Sequence, residues 1–258
     1  MPFVEREDVR LHYEIQGPSG APTVVFSNSL GTDQSMWDAQ AAALTHTFRV
    51  LRYDTRGHGQ SSVPKGPYRV EQLAADVIAL LDELEIPRAH FCGLSMGGQL
   101  GLWLGIHHPD RINRLMACNT GAKIGNPETW SARIDGVRNG GMKAVATAVM
   151  ERFLSPEFRT RCPEVTAALQ QKIESTSPDG YVACCEAIRD TDVTADLGKI
   201  RSRTLVIAGS KDPSTPPALG RFIREHIAGA GYTELPTAHL SNIEAPEQFN
   251  AELTRFLS

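Results

Sequence analysis

The residues best placed to do chemistry lie in Cys92-Gly93-Leu94-Ser95-Met96-Gly97-Gly98, a Gly-x-Ser-x-Gly reached from the apolar run Ala89-His90-Phe91 and left through a helical pattern. A serine on so tight a strand-to-helix turn needs nearly side-chain-free neighbours, which Gly93 and Gly97 supply, while Gly98 and Gly101 let the next helix pack close to a sheet. The pattern predicts Ser95 as an exposed nucleophile rather than an incidental serine in a glycine-rich turn. A hydroxyl is weakly nucleophilic near neutral pH, so it needs a base in hydrogen-bond reach, and that base needs a third group to fix its tautomer. Where such an elbow opens a helix, the partners follow in the order serine, acid, histidine.

That order sets aside His12, His46, His58 and His90 among the eight histidines. His107 and His108 would lie roughly 18 Å along the helix axis from Ser95, too far to take its proton. His226 falls in a helical pattern as an exposed polar position. His239, in Leu235-Pro236-Thr237-Ala238-His239-Leu240, directly follows the last strand and is the predicted base. Asp212, in Gly209-Ser210-Lys211-Asp212-Pro213, ends the preceding strand and is the predicted acid, against the alternative of a turn-capping aspartate. In acyl transfer the carbonyl oxygen gains negative charge, so backbone N–H groups must already point at it. Met96, next after the nucleophile, offers one; Leu30, in the loop after the strand at Thr23, offers the other. Leu30 as an ordinary core leucine stays open.

The elements that must position these groups are readable from pattern. Val9 to Ile15 alternates apolar with polar and ends at Gly17-Pro18, which predicts an antiparallel edge strand with one wet face. Thr23-Val24-Val25-Phe26-Ser27 and Phe48-Arg49-Val50-Leu51-Arg52-Tyr53 read as strands, the first apolar without alternation and so covered on both faces. Leu73, Val77, Leu80, Leu81 and Leu84 form a helical stripe that Pro87 stops. Leu115 to Asn119, Arg203 to Gly209 and Gly231 to Leu235 read as further strands, with helices over Leu100 to His107, Pro217 to Ile227 and Pro246 to Leu257. Strands alternating with helices imply a parallel sheet covered on both sides. From 121 to 195 the alternation lapses into helical patterns broken at Gly140-Gly141, Pro156, Pro163 and Pro178-Asp179-Gly180. The expected organisation is a core of residues 1–120 and 196–258 with a helical cap, 121–195, inserted in it.

Composition limits the partners. A length of 258 residues with 41% hydrophobic content supports a full core, and a net charge of −4 gives no global basic field for nucleic acid. No apolar stretch approaches the roughly 18 residues of a membrane span, and the N-terminus lacks the basic and apolar regions of a signal peptide. Five scattered cysteines show neither zinc spacing nor a disulfide framework, so a reducing cytoplasm is the simpler expectation. The oligomeric state is not encoded legibly.

Along essentially its whole length the chain resembles the α/β-hydrolase superfamily, at Asn28-Ser29-Leu30-Gly31, Asp54-Thr55-Arg56-Gly57-His58-Gly59-Gln60-Ser61, Gly93 to Gly98, Gly209 to Pro213 and Ala238-His239. It departs from the usual His-Gly of the first loop with Asn28-Ser29. Phe26 to Asp33 with Met36-Trp37, Trp130-Ser131-Ala132-Arg133-Ile134, Gly180 to Asp190 and His239 to Glu244 resemble 3-oxoadipate enol-lactone hydrolases in particular. The resemblance implies an α/β-hydrolase fold: a mostly parallel twisted sheet, helices on both faces and an inserted helical cap. It also implies hydrolysis of a small anionic enol-lactone to 3-oxoadipate in the β-ketoadipate pathway of aromatic breakdown, by Ser95, His239 and Asp212, with no metal or organic cofactor. Trp130, Arg133, Ile134 and Val137 share one helical face, so Trp130 and Arg133 could receive the substrate carboxylate. Pattern alone fits equally a cap helix packed on the core with the Arg133 stem laid across it, and the resemblance favours recognition. His58 and Arg56 are expected to stabilise their loop, and Cys184 and Cys185 to fill space. Other cofactor-free serine carboxylesterases, lactonases and carbon–carbon bond hydrolases share the triad. A non-catalytic hydrolase-fold protein that binds a small ligand is the alternative from another class.

Overall fold

The computed structural model describes residues 2–258. In chain order it comprises β1 (Phe3–Glu5), β2 (Arg10–Gln16), β3 (Thr23–Ser27), α1 (Asp38–Leu44), β4 (Arg49–Tyr53), α2 (Val70–Glu83), β5 (Ala89–Leu94), α3 (Met96–His107) and β6 (Ile112–Cys118). Five helices follow: α4 (Pro127–Gly140), α5 (Lys143–Phe153), α6 (Pro156–Arg161), α7 (Pro163–Ser175) and α8 (Pro178–Asp190). The sheet resumes with β7 (Arg203–Gly209), α9 (Pro217–His226), β8 (Gly231–Leu235), α10 (Ser241–Glu244) and α11 (Pro246–Leu257).

All eight strands form one sheet in the order β1-β2-β4-β3-β5-β6-β7-β8. The β1/β2 and β2/β4 pairs are antiparallel and the other five are parallel. The unalternating strands take the middle: every residue of β3 and β5 is buried, and all of β7 but Arg203, because helices cover both faces. β2 is not the edge strand its alternation predicts. The three-residue β1 pairs with its outer side, in the register Phe3 to His12 and Val4 to Leu11, and takes the edge instead. A strand so short leaves no periodic trace in sequence. α1 and α10 are likewise additions to the elements read from pattern.

The run between β6 and β7 is helical throughout its regular elements. Its prolines mark starts rather than breaks: Pro127, Pro156, Pro163 and Pro178 each occupy a first-turn position, where the missing N–H costs no intrahelical bond. Asn126, Ser155 and Ser177 cap three of these helices through their side chains. α4 and α8 pack together, as do α4 and α5, and α5 and α7. Residues of α4 and α5 line one cavity with Ser95 and His239, which follow the carboxyl ends of β5 and β8.

Candidate active site

Ser95 follows β5 and precedes α3, with φ 59° and ψ −114°. That left-handed conformation costs a non-glycine residue about 1–3 kcal/mol, and neighbouring bonds hold it. The Ser95 N–H donates to Cys118 O at 2.9 Å, and its carbonyl accepts from Thr120 Oγ1 at 2.8 Å and from the Gln99 N–H at 2.9 Å. The flanking glycines are required by space. A Cβ on Gly93 would lie 2.0 Å from Gly97 O, and one on Gly97 2.2 Å from Ser27 O.

Asp212 and His239 meet as the chain order predicts. His239 Nδ1 lies 2.8 Å from Asp212 Oδ2, and both side chains are almost fully buried. The same oxygen accepts from Thr215 Oγ1 at 2.6 Å and from Asn119 Nδ2 at 3.1 Å, while Oδ1 takes the Ser214 and Thr215 backbone N–H groups at 2.8 and 3.0 Å. Burial alone would push this carboxyl up. The charge and hydrogen bond of His239, with those donors, outweigh it and hold Asp212 below the ordinary aspartate range. An ionised, fully coordinated Asp212 fixes the proton of His239 on Nδ1 and leaves Nε2 with a lone pair free to accept a proton. The Phe153 ring covers the imidazole at 5.2 Å between centroids.

Ser95 and His239 both border a cavity of about 570 Å³, with Ser29 and Leu30 beside them. The two amides expected to hold an oxyanion share a property. Around Met96, the Ser95 N–H goes to Cys118 O and the Gly97 N–H to Asn28 O at 3.1 Å. Around Leu30, the Ser29 N–H goes to Met36 Sδ at 3.3 Å and the Gly31 N–H to His58 Nε2 at 2.9 Å. Among the described residues neither the Leu30 nor the Met96 N–H has an acceptor. The Met96 amide also opens the 12-residue α3, whose N-terminus favours negative charge. Both side chains are buried, so the Leu30 side chain is a core leucine, a placement compatible with its amide acting as a donor. The Asn28 departure is structural: its side chain donates to Tyr53 O at 2.8 Å and accepts from Trp37 Nε1 at 3.0 Å.

The insertion supplies the cavity's other walls. Trp130 and Arg133 of α4 both line it, with the guanidinium carbon 4.7 Å from the indole centroid. The indole N–H is spent on Ile124 O at 2.7 Å, so Trp130 offers a ring face and no donor. Arg152 of α5, which sequence pattern did not single out, lines the same cavity. Arg138 pairs with Glu186 and Lys172 with Asp33, whereas Arg133 and Arg152, the two cations on the cavity wall, enter no ion pair among the described residues. Asn119 and Thr215 also escaped the sequence reading. Asn119 carried a faint signal, a polar residue ending an apolar strand at the carboxyl edge; Thr215 and Arg152 carried none. Arg56 is buried and paired with Asp76 and Asp8, and His58 is buried, as expected of loop-stabilising residues. Cys184 and Cys185 are buried too.

Comparisons with known proteins agree with this geometry. Residues 22–246 match the model of the alpha/beta hydrolase fold family. The chain is 46% identical to 3-oxoadipate enol-lactonase 2 of Acinetobacter baylyi, across 95% of this chain and 91% of that one, and 41% identical to that organism's 3-oxoadipate enol-lactonase 1, across 96% and 92%. The crystal structure of the enol-lactonase from Burkholderia xenovorans LB400 superimposes with a TM-score of 0.98 at 47% identity, covering 99% of both chains. With the family's model matched over residues 22–246 and two relatives more than 40% identical over nearly the whole chain, the chain belongs to the α/β-hydrolase family.

Proposed function

We propose that the protein hydrolyses 3-oxoadipate enol-lactone to 3-oxoadipate, with Ser95, His239 and Asp212 as triad and the Leu30 and Met96 amides as oxyanion hole. The observation that supports this reading is that Arg133, without a carboxylate partner among the described residues, lines the same cavity as Ser95 and His239. His239 Nε2 would take the Ser95 proton as Oγ bonds to the lactone carbonyl carbon. The charge that develops on the carbonyl oxygen falls to the two amides. Collapse breaks the ring C–O bond, and His239 returns the proton to the departing enolate oxygen; the resulting enol becomes the ketone. Water, deprotonated by His239, then attacks the acyl carbon and releases the new carboxylate with Ser95 restored.

The substituent carboxylate would be met by the forked donors of Arg133, whose guanidinium sits over the Trp130 ring, with Arg152 as a second cation in the cavity. On this reading residues 121–195 act as a cap over a core of 1–120 and 196–258. Two relatives named 3-oxoadipate enol-lactonase support assigning the reaction to the β-ketoadipate pathway. Five free cysteines suit a cytoplasmic location, and among the described residues no helix is long and apolar enough to cross a membrane.

The test is turnover of the enol-lactone beside the neutral ester p-nitrophenyl acetate. Ser95→Ala should lose roughly 10⁴-fold or more of kcat on both. Arg133→Ala should raise KM for the lactone roughly 10- to 100-fold, as loss of a charged hydrogen bond does, and leave the ester unaffected. A lactone ignored by an enzyme that cleaves the ester through Ser95 would sink the substrate and keep the triad. Failure of a fluorophosphonate to label Ser95 would instead support a ligand-binding protein.

A further inference from the structure

An oxyanion hole works only if its donors are aimed before charge appears, and the Leu30 N–H belongs to a loop rather than to a helix. What fixes its direction is therefore a separate question. The amide plane containing it also contains the Ser29 carbonyl, and in a trans peptide the two point in opposite directions. Two donors pin that carbonyl, Thr32 Oγ1 at 2.7 Å and the Thr32 N–H at 3.2 Å. Thr32 Oγ1 also lies 3.0 Å from Met36 Sδ, but a hydroxyl has one proton and the carbonyl is nearer and the better acceptor. The next amide plane is anchored as well, through the Gly31 N–H on His58 Nε2 at 2.9 Å. Thr32 is 2% exposed, so water does not compete for its hydroxyl.

We infer that Thr32 is a positioning residue for the oxyanion hole: by holding the Ser29 carbonyl back, its hydroxyl keeps the Leu30 N–H turned into the cavity. His58 supports the same arrangement from the following peptide. Burial lowers the pKa of its imidazole, which stays neutral and keeps a lone pair for the Gly31 amide. Without the Thr32 hydroxyl only the longer Thr32 N–H bond restrains the plane. Rotation would then bring the Ser29 carbonyl oxygen, a negative dipole end, toward the position where the oxyanion forms. The inference rests on acyl transfer through Ser95 and is independent of which acyl substrate the cavity prefers.

The test compares Thr32→Val, which keeps shape and loses the hydroxyl, with Thr32→Ser, which keeps the hydroxyl. Removing an oxyanion donor outright costs roughly 10²–10³ in kcat, so misaiming one should cost Thr32→Val roughly 10- to 100-fold with KM within about twofold. The loss should be the same on the enol-lactone and on p-nitrophenyl acetate, counted per site labelled at completion by a fluorophosphonate. Thr32→Ser should restore kcat to within a few-fold, and a boronic acid that bonds to Ser95 should bind Thr32→Val more weakly by the factor lost in kcat/KM. Should Thr32→Val fail to fold, Thr32→Ala carries the same comparison. Wild-type kcat in the variant lacking the hydroxyl, or Thr32→Ser as impaired as Thr32→Val, overturns the inference. If the wild type cleaves the ester and ignores the lactone, the substrate reading fails while the ester still decides the role of Thr32; hydrolysis of neither overturns both.

Discussion

Single residues here are set by the partners they are given or denied. Asp212 has five donors on its two oxygens and is held ionised, whereas His90 of β5 is buried with Nδ1 lacking any partner among the described residues. Burial, reinforced by the charges of Arg114 and Arg88, pulls the pKa of His90 from its ordinary 6.5 to about 4. The unfolded chain then binds this proton at higher pH than the folded one. The neutral His90 contribution to stability is accordingly complete above pH 6.5 and shrinks as pH falls toward 4, by about 3 kcal/mol at about 1.4 kcal/mol per pH unit. His90→Leu should match the wild type within about 1 kcal/mol in urea unfolding at pH 7, since no hydrogen bond of Nδ1 is lost. It should lose markedly less stability than the wild type at pH 4.5. An equally steep acid decline in both proteins would show that other groups carry it. That Asp212 and His239 would meet, and share a cavity border with Ser95, was legible in sequence because each lies in the turn or loop after a strand. Asn119, Thr215 and Thr32 were not legible: Asn119 reaches Asp212 from a distant strand end, and the local bonds of Thr215 to Asp212 and of Thr32 to the Ser29 carbonyl depend on loop conformations that no periodicity encodes.

At the scale of elements, the insertion meets the core through a backbone contact that only glycine permits. A Cβ on Gly180, in the first turn of α8, would lie 2.2 Å from Gly57 O, in the loop after β4. The approach lets Cys184 Sγ, one turn further along α8, contact Arg56 O at 3.7 Å. Gly180→Ala must push α8 away from that loop, at the cost of overpacking, about 1–3 kcal/mol. For a chain of this size that is a fall in Tm of roughly 3–10 °C. Gly20→Ala, whose added Cβ would meet nothing within 4 Å, is the control and should leave Tm unchanged. Equal melting of the two variants would mean the contact is looser than the backbone distance implies. Sequence pattern carried much at this scale. β3, β5 and β7 announce their central places by apolar runs, and the insertion by the lapse of strand–helix alternation, although the prolines read as breaks in it turn out to open helices. The edge was misread because β1 is too short to show a period. Tight backbone approaches such as Gly57 to Gly180 leave in sequence only a glycine, which a turn would equally explain.

In the whole molecule, core and insertion are tied together beside the base. Glu244 of α10, 8% exposed, accepts from the Ala238 N–H at 3.0 Å, from the Ser155 N–H at 3.2 Å and from Ser155 Oγ. Ala238 precedes His239, and Ser155 caps α6 of the insertion. Two residues before Ser155, Phe153 covers the His239 ring and accepts the Leu240 N–H at 3.0 Å. One carboxylate therefore fixes the loop carrying His239 to the helices carrying the cavity wall, and nothing in its sequence position signals this. An amide at 244 keeps the size but brings two donors of its own, so at least one of the three donors would face an N–H instead of an oxygen. Glu244→Gln should lose about 1–3 kcal/mol of stability, the cost of a buried donor left unsatisfied. Because the displaced loop carries His239, kcat should fall about tenfold on lactone and ester alike, and fluorophosphonate labelling of Ser95 should slow with it. Ser155→Ala, which removes only the hydroxyl bond, should do less on every measure. If Glu244→Gln destabilises the protein and leaves kcat and labelling at wild-type values, the carboxylate holds the two layers together without placing the base.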